Sequence, residues 1–433
     1  MDRIQTLEHI MKTSKSIVGS LLAATAMACG AQGDSVRKDI NPALLYFQAV
    51  QVAPELSASD RDYLFSKEWR GQKLSPRFGE LVSRYNNQFD LVRQAGQATS
   101  PCDWGIDWSR GPATLLPHLG RNKGIAQTAR LRAAWFLQNG KPMDATQDIL
   151  AALTLARHSG GDGSLIAMLV QIASENLLCS TVAENYHQFS SEALQQLSEG
   201  FAATTGRRAI ASCIATEMLS LKDWLLNKVL ALQKEHPGDE AQALAEIQKT
   251  FVMMSGSGDE GANDQTLWPR VLSAAGGSSD GILRLVRDAK SLYPRLAAVL
   301  ALPFAEYETQ MKQFSAEVSA SKNPIVTECF PAWEKCRPKE FGVLTTLAMV
   351  QAAAQYKLKG EAGLKTITDP CGHGPFALER FTFEGEDRGF QLKGAYTGRG
   401  FQEIMIFAEK DGAPFQVSGK NAGQASPKMH PPK

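Results

Sequence analysis

Apolar residues recur every three or four positions along most of this 433-residue chain, and that period constrains the fold more than any other feature. The clearest example is 207–236, where the period marks one continuous apolar face of a helix. The stripe consists of Ile210, Ile214, Met218, Leu221, Leu225, Val229 and Leu232. Because the period holds from about residue 40 to 360, we predict a mainly α fold, an irregular helical bundle or a short α-solenoid.

Local signals place several helix ends. In "NPALLYFQAV", Asn41 is a predicted N-cap and Pro42 occupies the first helical position. Asn139-Gly140 predicts a break between two helices, and Pro142 stands near the start of the second.

The composition changes near residue 366, where "FALERFTFE", "GFQLKGAY" and "QEIMIFAE" alternate or are rich in β-forming residues. Gly-containing turns separate them, so we predict a small C-terminal antiparallel sheet. The resulting organisation is 1–31 as a signal peptide, 32–254 as a helical domain, 255–282 as a loop or linker with a short helix, 283–365 as a helical segment, 366–418 as the β unit and 419–433 as a disordered tail.

The N-terminus has the pattern of an export signal. Translation from Met11 gives a basic n-region with Lys12 and Lys15, followed by the uncharged stretch 17–28. That stretch is shorter than the roughly 20 residues that span a bilayer. We therefore predict a protein exported to the periplasm or the extracellular space. Small residues directly before Cys29 leave two outcomes open, simple cleavage or lipidation of Cys29.

Export makes disulfides a prediction as well. Besides Cys29, the chain has an even set of cysteines, namely Cys102, Cys179, Cys213, Cys329, Cys336 and Cys371. Within "ECFPAWEKC", the Cys329–Cys336 pair is the best disulfide candidate, because Pro331 can bend the intervening segment. The alternative is that some of the six are buried thiols.

Charge narrows the range of partners. The chain has 46 Lys and Arg against 45 Asp and Glu, so no basic excess attracts a nucleic acid. Membrane contact is expected only through a lipid anchor on Cys29. We expect a protein or glycan partner in the cell envelope.

The segment "CDWGIDWSRGP" at 102–112 concentrates unusual residue types. Its candidate ligand-binding residues are Asp103, Trp104, Asp107, Trp108 and Arg110. Loop aromatics beside polar groups bind ligands, and paired carboxylates beside tryptophans occur in glycosidases. Two Asp in one short loop fit the glycosidase geometry poorly. The other interpretation is a core-anchoring loop in which both tryptophans pack inward and the Asp side chains cap backbone donors.

The other motifs do not predict a complete metal site or cofactor site. Glu184 and His187 have the Glu-x-x-His spacing of di-iron bundles, but the sequence has no second copy. "GSGDEG" at 256–261 matches a dinucleotide fingerprint without its preceding strand, so we read it as a linker. We therefore predict no metal site and no cofactor.

Two resemblances extend beyond single motifs. The layout of an export signal, "NPALLYFQAV", "CDWGIDWSRGP", "DGSLIAMLVQIASENLL" and "DPCGHGPF" resembles a group of uncharacterised exported bacterial proteins, which implies no activity. "YKLKGEAGLKTITDPCGHGPFALERF" is similar to the C-terminal part of major pseudopilins. This second resemblance implies a helix, an Asp-Pro-x-Gly turn and a short sheet.

Two hypotheses of function follow. The long helical array without an assembled catalytic site favours an exported, non-enzymatic binding or scaffolding protein that uses a groove between helices. The alternative is a cell-envelope hydrolase, glycan-directed for example, with its site near the 102–112 loop. A cleft with exposed carboxylates at this loop would favour the hydrolase.

Overall fold

The computed structural model describes residues 38–66, 69–70, 72–203, 207–254, 267–398 and 401–410. The predicted signal peptide with Cys29, the "GSGDEG" segment and the tail 419–433 lie outside these residues. The side chains of Ala203, Met253, Met254, Cys329, Pro331, Phe401 and Gln402 are also outside the description.

Helices occupy most of the described chain, which confirms the predicted mainly α fold. The α-helices are α1 (Pro42–Gln51), α2 (Ala58–Phe65), α3 (Pro76–Ser83), α4 (Asn86–Gly96), α5 (Pro117–Gln138), α6 (Pro142–Ser159), α7 (Leu165–Glu184), α8 (Ser191–Ala203), α9 (Cys213–Glu217), α10 (Trp224–Glu235), α11 (Glu240–Met254), α12 (Leu267–Ala274), α13 (Ser279–Ser291), α14 (Tyr293–Ala301), α15 (Phe304–Ala320), α16 (Pro324–Cys329), α17 (Pro331–Glu334) and α18 (Arg337–Leu364). Short 3₁₀ turns are Trp108–Ala113, Gly160–Asp162, Tyr186–Gln188 and Ile210–Ser212.

The predicted helix ends are confirmed. The Asn41 side chain accepts a hydrogen bond from the Ala43 amide at 3.0 Å, and α1 begins at Pro42. Helix α5 ends just before Asn139, Gly140 has a φ of 69°, and α6 begins at Pro142. Glycine adopts this left-handed conformation at little cost, so the break follows from the residue type.

The helices of the N-terminal half form one packed core. The antiparallel hairpin of α5 and α6 packs against α4 on one side and α7 on the other, and α1 lies on α4. Helix α7 is long and apolar enough to span a bilayer, but 56% of its apolar window is buried inside the fold. Such burial is typical of the central helix of a packed bundle.

The predicted C-terminal sheet is confirmed as three antiparallel strands in the order β1 (Ala377–Phe383), β2 (Glu386–Gly398) and β3 (Phe401–Ala408). Strands β2 and β3 cover α18 and α7. The turn before β1 is fixed by Asp369, whose carboxylate accepts from the Cys371 amide at 2.9 Å and the Ala395 amide at 2.5 Å. The turn is thereby tied to the middle of β2.

The 207–236 stripe departs from the prediction at its centre. A π-helical turn, Met218–Asp223, connects α9 and α10 and inserts extra backbone into the helical period. Lys222 is therefore buried, whereas Met218 and Leu221 are only half-buried. The apolar stripe is not continuous because the wider turn shifts the phase of the helix.

Candidate functional site

The 102–112 loop is anchored to the core by Trp104. Only 7% of Trp104 is exposed, and its indole N–H donates to the His158 carbonyl at 2.8 Å. The ring lies between Tyr46, at 5.7 Å between centroids, and His118, at 4.5 Å, nearly parallel to both. Trp104 is thus a core residue, as the core-anchoring interpretation requires.

Both aspartates of this loop are exposed and accept hydrogen bonds from their own loop. Asp103 accepts from the Gly105 amide at 2.9 Å. Asp107 accepts from the Ser109 amide at 2.9 Å and the Ser109 hydroxyl at 2.8 Å. The hydrogen bond from the Ser109 amide lowers the pKa of Asp107 most, and the hydrogen bond from the Ser109 hydroxyl lowers it further. A carboxylate in this state is ionised and oriented by the turn, which suits capping better than proton transfer.

The end of the loop is held by close packing. Gly111 has a φ of 58°, and a Cβ there would lie 2.3 Å from the Trp224 ring, so only glycine fits. Trp108 is half-buried and Arg110 is exposed. None of the five candidate residues lines the cavity of about 870 Å³ or the cavity of about 470 Å³ described among these residues. Their ligand-binding role stays a prediction.

The disulfide also stays a prediction. Cys336 has a free thiol that donates to the Ala332 carbonyl at 3.2 Å, and the Cys329 side chain lies outside the described residues. Burial raises the pKa of Cys102 to about 12 and that of Cys371 to about 11. These two thiols are protonated at neutral pH and are therefore weak nucleophiles.

A cavity of about 870 Å³ between α1, α2, α4, α5 and α7 is the more promising site. This volume lies in the range of sites for organic ligands. Its wall combines apolar and polar side chains in equal number, and the apolar ones are Val50, Ala53, Leu64, Phe65, Trp69, Tyr85, Ile125, Leu131 and Leu177. Four arginines also line it, namely Arg61, Arg70, Arg121 and Arg130. Hereafter we call it the arginine cavity.

Small residues on α5 keep the arginine cavity open. Gly120, Gly124 and Thr128 follow one another at intervals of four, so they share one face of the helix. A Cβ added to Gly120 or Gly124 would meet nothing within 4 Å. Larger side chains at these positions would occupy the cavity.

Trp69 positions two of the arginines. Its indole N–H donates to the Leu64 carbonyl at 2.9 Å, which fixes the ring at the end of α2. The guanidinium carbons of Arg70 and Arg130 lie 6.0 Å and 5.8 Å from the centre of that ring. Both cations are within the distance at which the π face of an indole attracts them.

The carboxylate of Glu184 interacts with both arginines of this pair. Nη2 of Arg130 donates to Glu184, the last residue of α7. Burial lowers the pKa of Arg70, and the neighbouring charge of Arg130 lowers it further, while Glu184 raises it. Glu184 lies at the negative end of a helix, where a carboxylate is unfavourable without a cation beside it. Arg130 supplies that cation.

Each arginine of the pair keeps a buried donor without an acceptor. Nε of Arg70 and Nε of Arg130 have no hydrogen-bond partner within the described residues. A buried N–H that loses its hydrogen bond to water costs about 1–3 kcal/mol. Both donors belong to side chains that line the cavity, and an anion bound there can accept from them once the guanidinium groups turn toward it.

Sequence reasoning missed this site, although a signal was present. In "ARLRAAWFL", Arg130 and Arg132 interrupt an apolar helical run, and both are buried. Buried arginines need an anionic partner. The Glu-x-x-His spacing of Glu184 and His187 points to a metal instead, and no group of three or more metal-ligating side chains occurs among the described residues.

Comparison with protein-family models, with curated proteins and with solved structures finds no match to this chain. The resemblance to exported bacterial proteins and to pseudopilins therefore stays a prediction.

Proposed function

We propose that the protein is an exported, non-enzymatic binding protein that takes an organic anion into the arginine cavity. The observation that carries this proposal is the pair of buried, unsatisfied Nε donors of Arg70 and Arg130 at the wall of a ligand-sized space. The apolar part of the wall suits the body of such a ligand, and the arginines suit its charged head. The sequence pattern at Met11–Cys29 supports export.

A hydrolase at the 102–112 loop is less well supported. It would require Asp103 and Asp107 to leave the hydrogen bonds that they accept within the loop. We therefore assign the binding role to the arginine cavity.

The proposal is tested by calorimetric titration with hexyl phosphate, hexanoate and the neutral 1-hexanol. We expect both anions to bind and Arg70→Gln to weaken them by about tenfold, the value of one charge-assisted hydrogen bond. Arg295→Gln is the matched control, because Arg295 is exposed and pairs with Glu317 away from the cavity. The proposal fails if neither anion binds at about 1 mM, or if 1-hexanol binds equally well.

A further inference from the structure

We infer that the anionic head recognised in the arginine cavity is a dianion of the phosphate monoester class. This inference rests on the proposed function and concerns the charge and the oxygen atoms of the ligand. The organic part of the ligand would contact the apolar part of the wall.

The charge of the cavity is the first support. Its described lining has four arginines and one acidic residue, Asp62, and Glu184 pairs with Arg130 from outside the lining. Among the described side chains, four guanidinium groups against two carboxylates leave two positive charges in excess. A monoanionic carboxylate would neutralise only one of them, whereas a phosphate monoester carries close to two negative charges at pH 7 and above.

The positions of the free donors are the second support. Arg70 and Arg130 flank one indole ring, and each has one Nε–H without a partner among the described residues. Glu184 already occupies Nη2 of Arg130. A ligand must therefore accept from two separate side chains at once, beside a carboxylate that repels it. A phosphate group has three terminal oxygens that point in different directions, and a carboxylate has two in one plane.

Arg61 and Arg121 have a different role. Both are exposed, so solvent screens their charges more than those of the half-buried Arg70 and the buried Arg130. They contribute attraction at the mouth of the cavity, and the Arg70–Arg130 pair holds the head group.

The test compares hexyl phosphate, a dianion at pH 8, with its monoanionic ester hexyl methyl phosphate. We expect the wild-type protein to bind the dianion at least about tenfold more tightly. A dianion responds to a change of charge in the cavity about twice as strongly as a monoanion. Arg70→Gln should therefore reduce this preference, and Glu184→Gln should increase it.

The opposite signs of these two effects distinguish a change of charge in the cavity from damage to the fold. Damage to the fold would weaken the binding of both ligands. Arg295→Gln and Glu317→Gln, which change an exposed ion pair elsewhere, should leave the preference unchanged. The inference is overturned if the wild-type protein binds both esters equally, if both substitutions shift the preference in one direction, or if the dicarboxylate adipate binds more tightly than hexyl phosphate. Failure of all these probes to bind would instead overturn the proposed function.

Discussion

Glu403 on β3 shows how one half-buried side chain links pH to stability. Burial raises the pKa of Glu403 to about 7, and its carboxylate lies near Gly342 of α18. In the unfolded chain a glutamate titrates near pH 4.3, so the folded protein binds a proton that the unfolded chain releases. The folded state therefore loses stability as the pH rises from about 4.3 to about 7.

We predict that Glu403→Gln removes this pH dependence. The variant should match the wild-type free energy of unfolding at about pH 4 and exceed it by roughly 2 kcal/mol at pH 8, since each pKa unit is worth about 1.4 kcal/mol and partial exposure reduces the effect. Urea unfolding at both pH values measures the difference. Glu361→Gln, at an exposed position, is the control. Equal stability of wild type and Glu403→Gln at pH 8 would contradict the prediction.

Helix α5 packs into the core with one face and lines the arginine cavity with another. One face packs against α6 and α7, and the other presents the row Gly120, Gly124 and Thr128 to the arginine cavity. Glycine inside a helix costs about 0.5–1 kcal/mol relative to alanine. The protein retains two such residues where a Cβ would meet open space, which is the pattern expected if the space itself is needed.

The pair Gly124→Ala and Gly124→Leu separates stability from binding. Gly124→Ala should raise the free energy of unfolding by about 0.5–1 kcal/mol and leave hexyl phosphate binding intact. Gly124→Leu should stabilise the helix similarly but abolish binding, because its side chain fills the cavity. Thermal unfolding and calorimetric titration of both variants decide the matter. Tight binding by Gly124→Leu would show that the ligand lies elsewhere.

The same helix shows what the sequence can and cannot reveal. The ends of α5 and α6 follow from Asn139, Gly140 and Pro142, which act through local backbone geometry. The cavity has no such local signature, because α1, α2, α4, α5 and α7 form its wall only after they pack together. The π turn at Met218–Asp223 could not be predicted either, because the spacing of its apolar residues fits an ordinary α-helix. Only the structure shows that Lys222 is buried there.

At the scale of the whole molecule, a chain of buried charges ties distant segments together. Glu175 of α7 accepts from Arg157 of α6 and from Arg207, each at 3.3 Å. Arg207 also donates to Glu340 of α18 at 2.9 Å. Glu340 accepts a further hydrogen bond from Arg337. Because Arg207 is 32 residues from Glu175 and 133 residues from Glu340, its two bonds form only when the helices have already assembled. A network of this kind stabilises one arrangement of the helices, provided every charge keeps its partner.

We predict that Glu340→Gln destabilises the protein by about 3–5 kcal/mol, the usual cost of breaking a buried ion pair. The substitution keeps the shape of the side chain but leaves Arg157, Arg207 and Arg337 with one carboxylate, that of Glu175. It also weakens the hydrogen bond that Glu340 accepts from the Ile210 amide at 3.1 Å. Urea unfolding measures the loss.

Glu328→Gln provides the matched comparison, because Glu328 forms an exposed pair with Arg270, in which both side chains are about half exposed. Exposed pairs contribute about 0–1 kcal/mol, so this variant should unfold almost like the wild type. If Glu340→Gln costs no more than Glu328→Gln, the buried chain does not hold α7 and α18 together. Their packing would then depend on apolar contacts and on the hydrogen bond that the Thr346 hydroxyl donates to the Asn176 side chain at 3.0 Å.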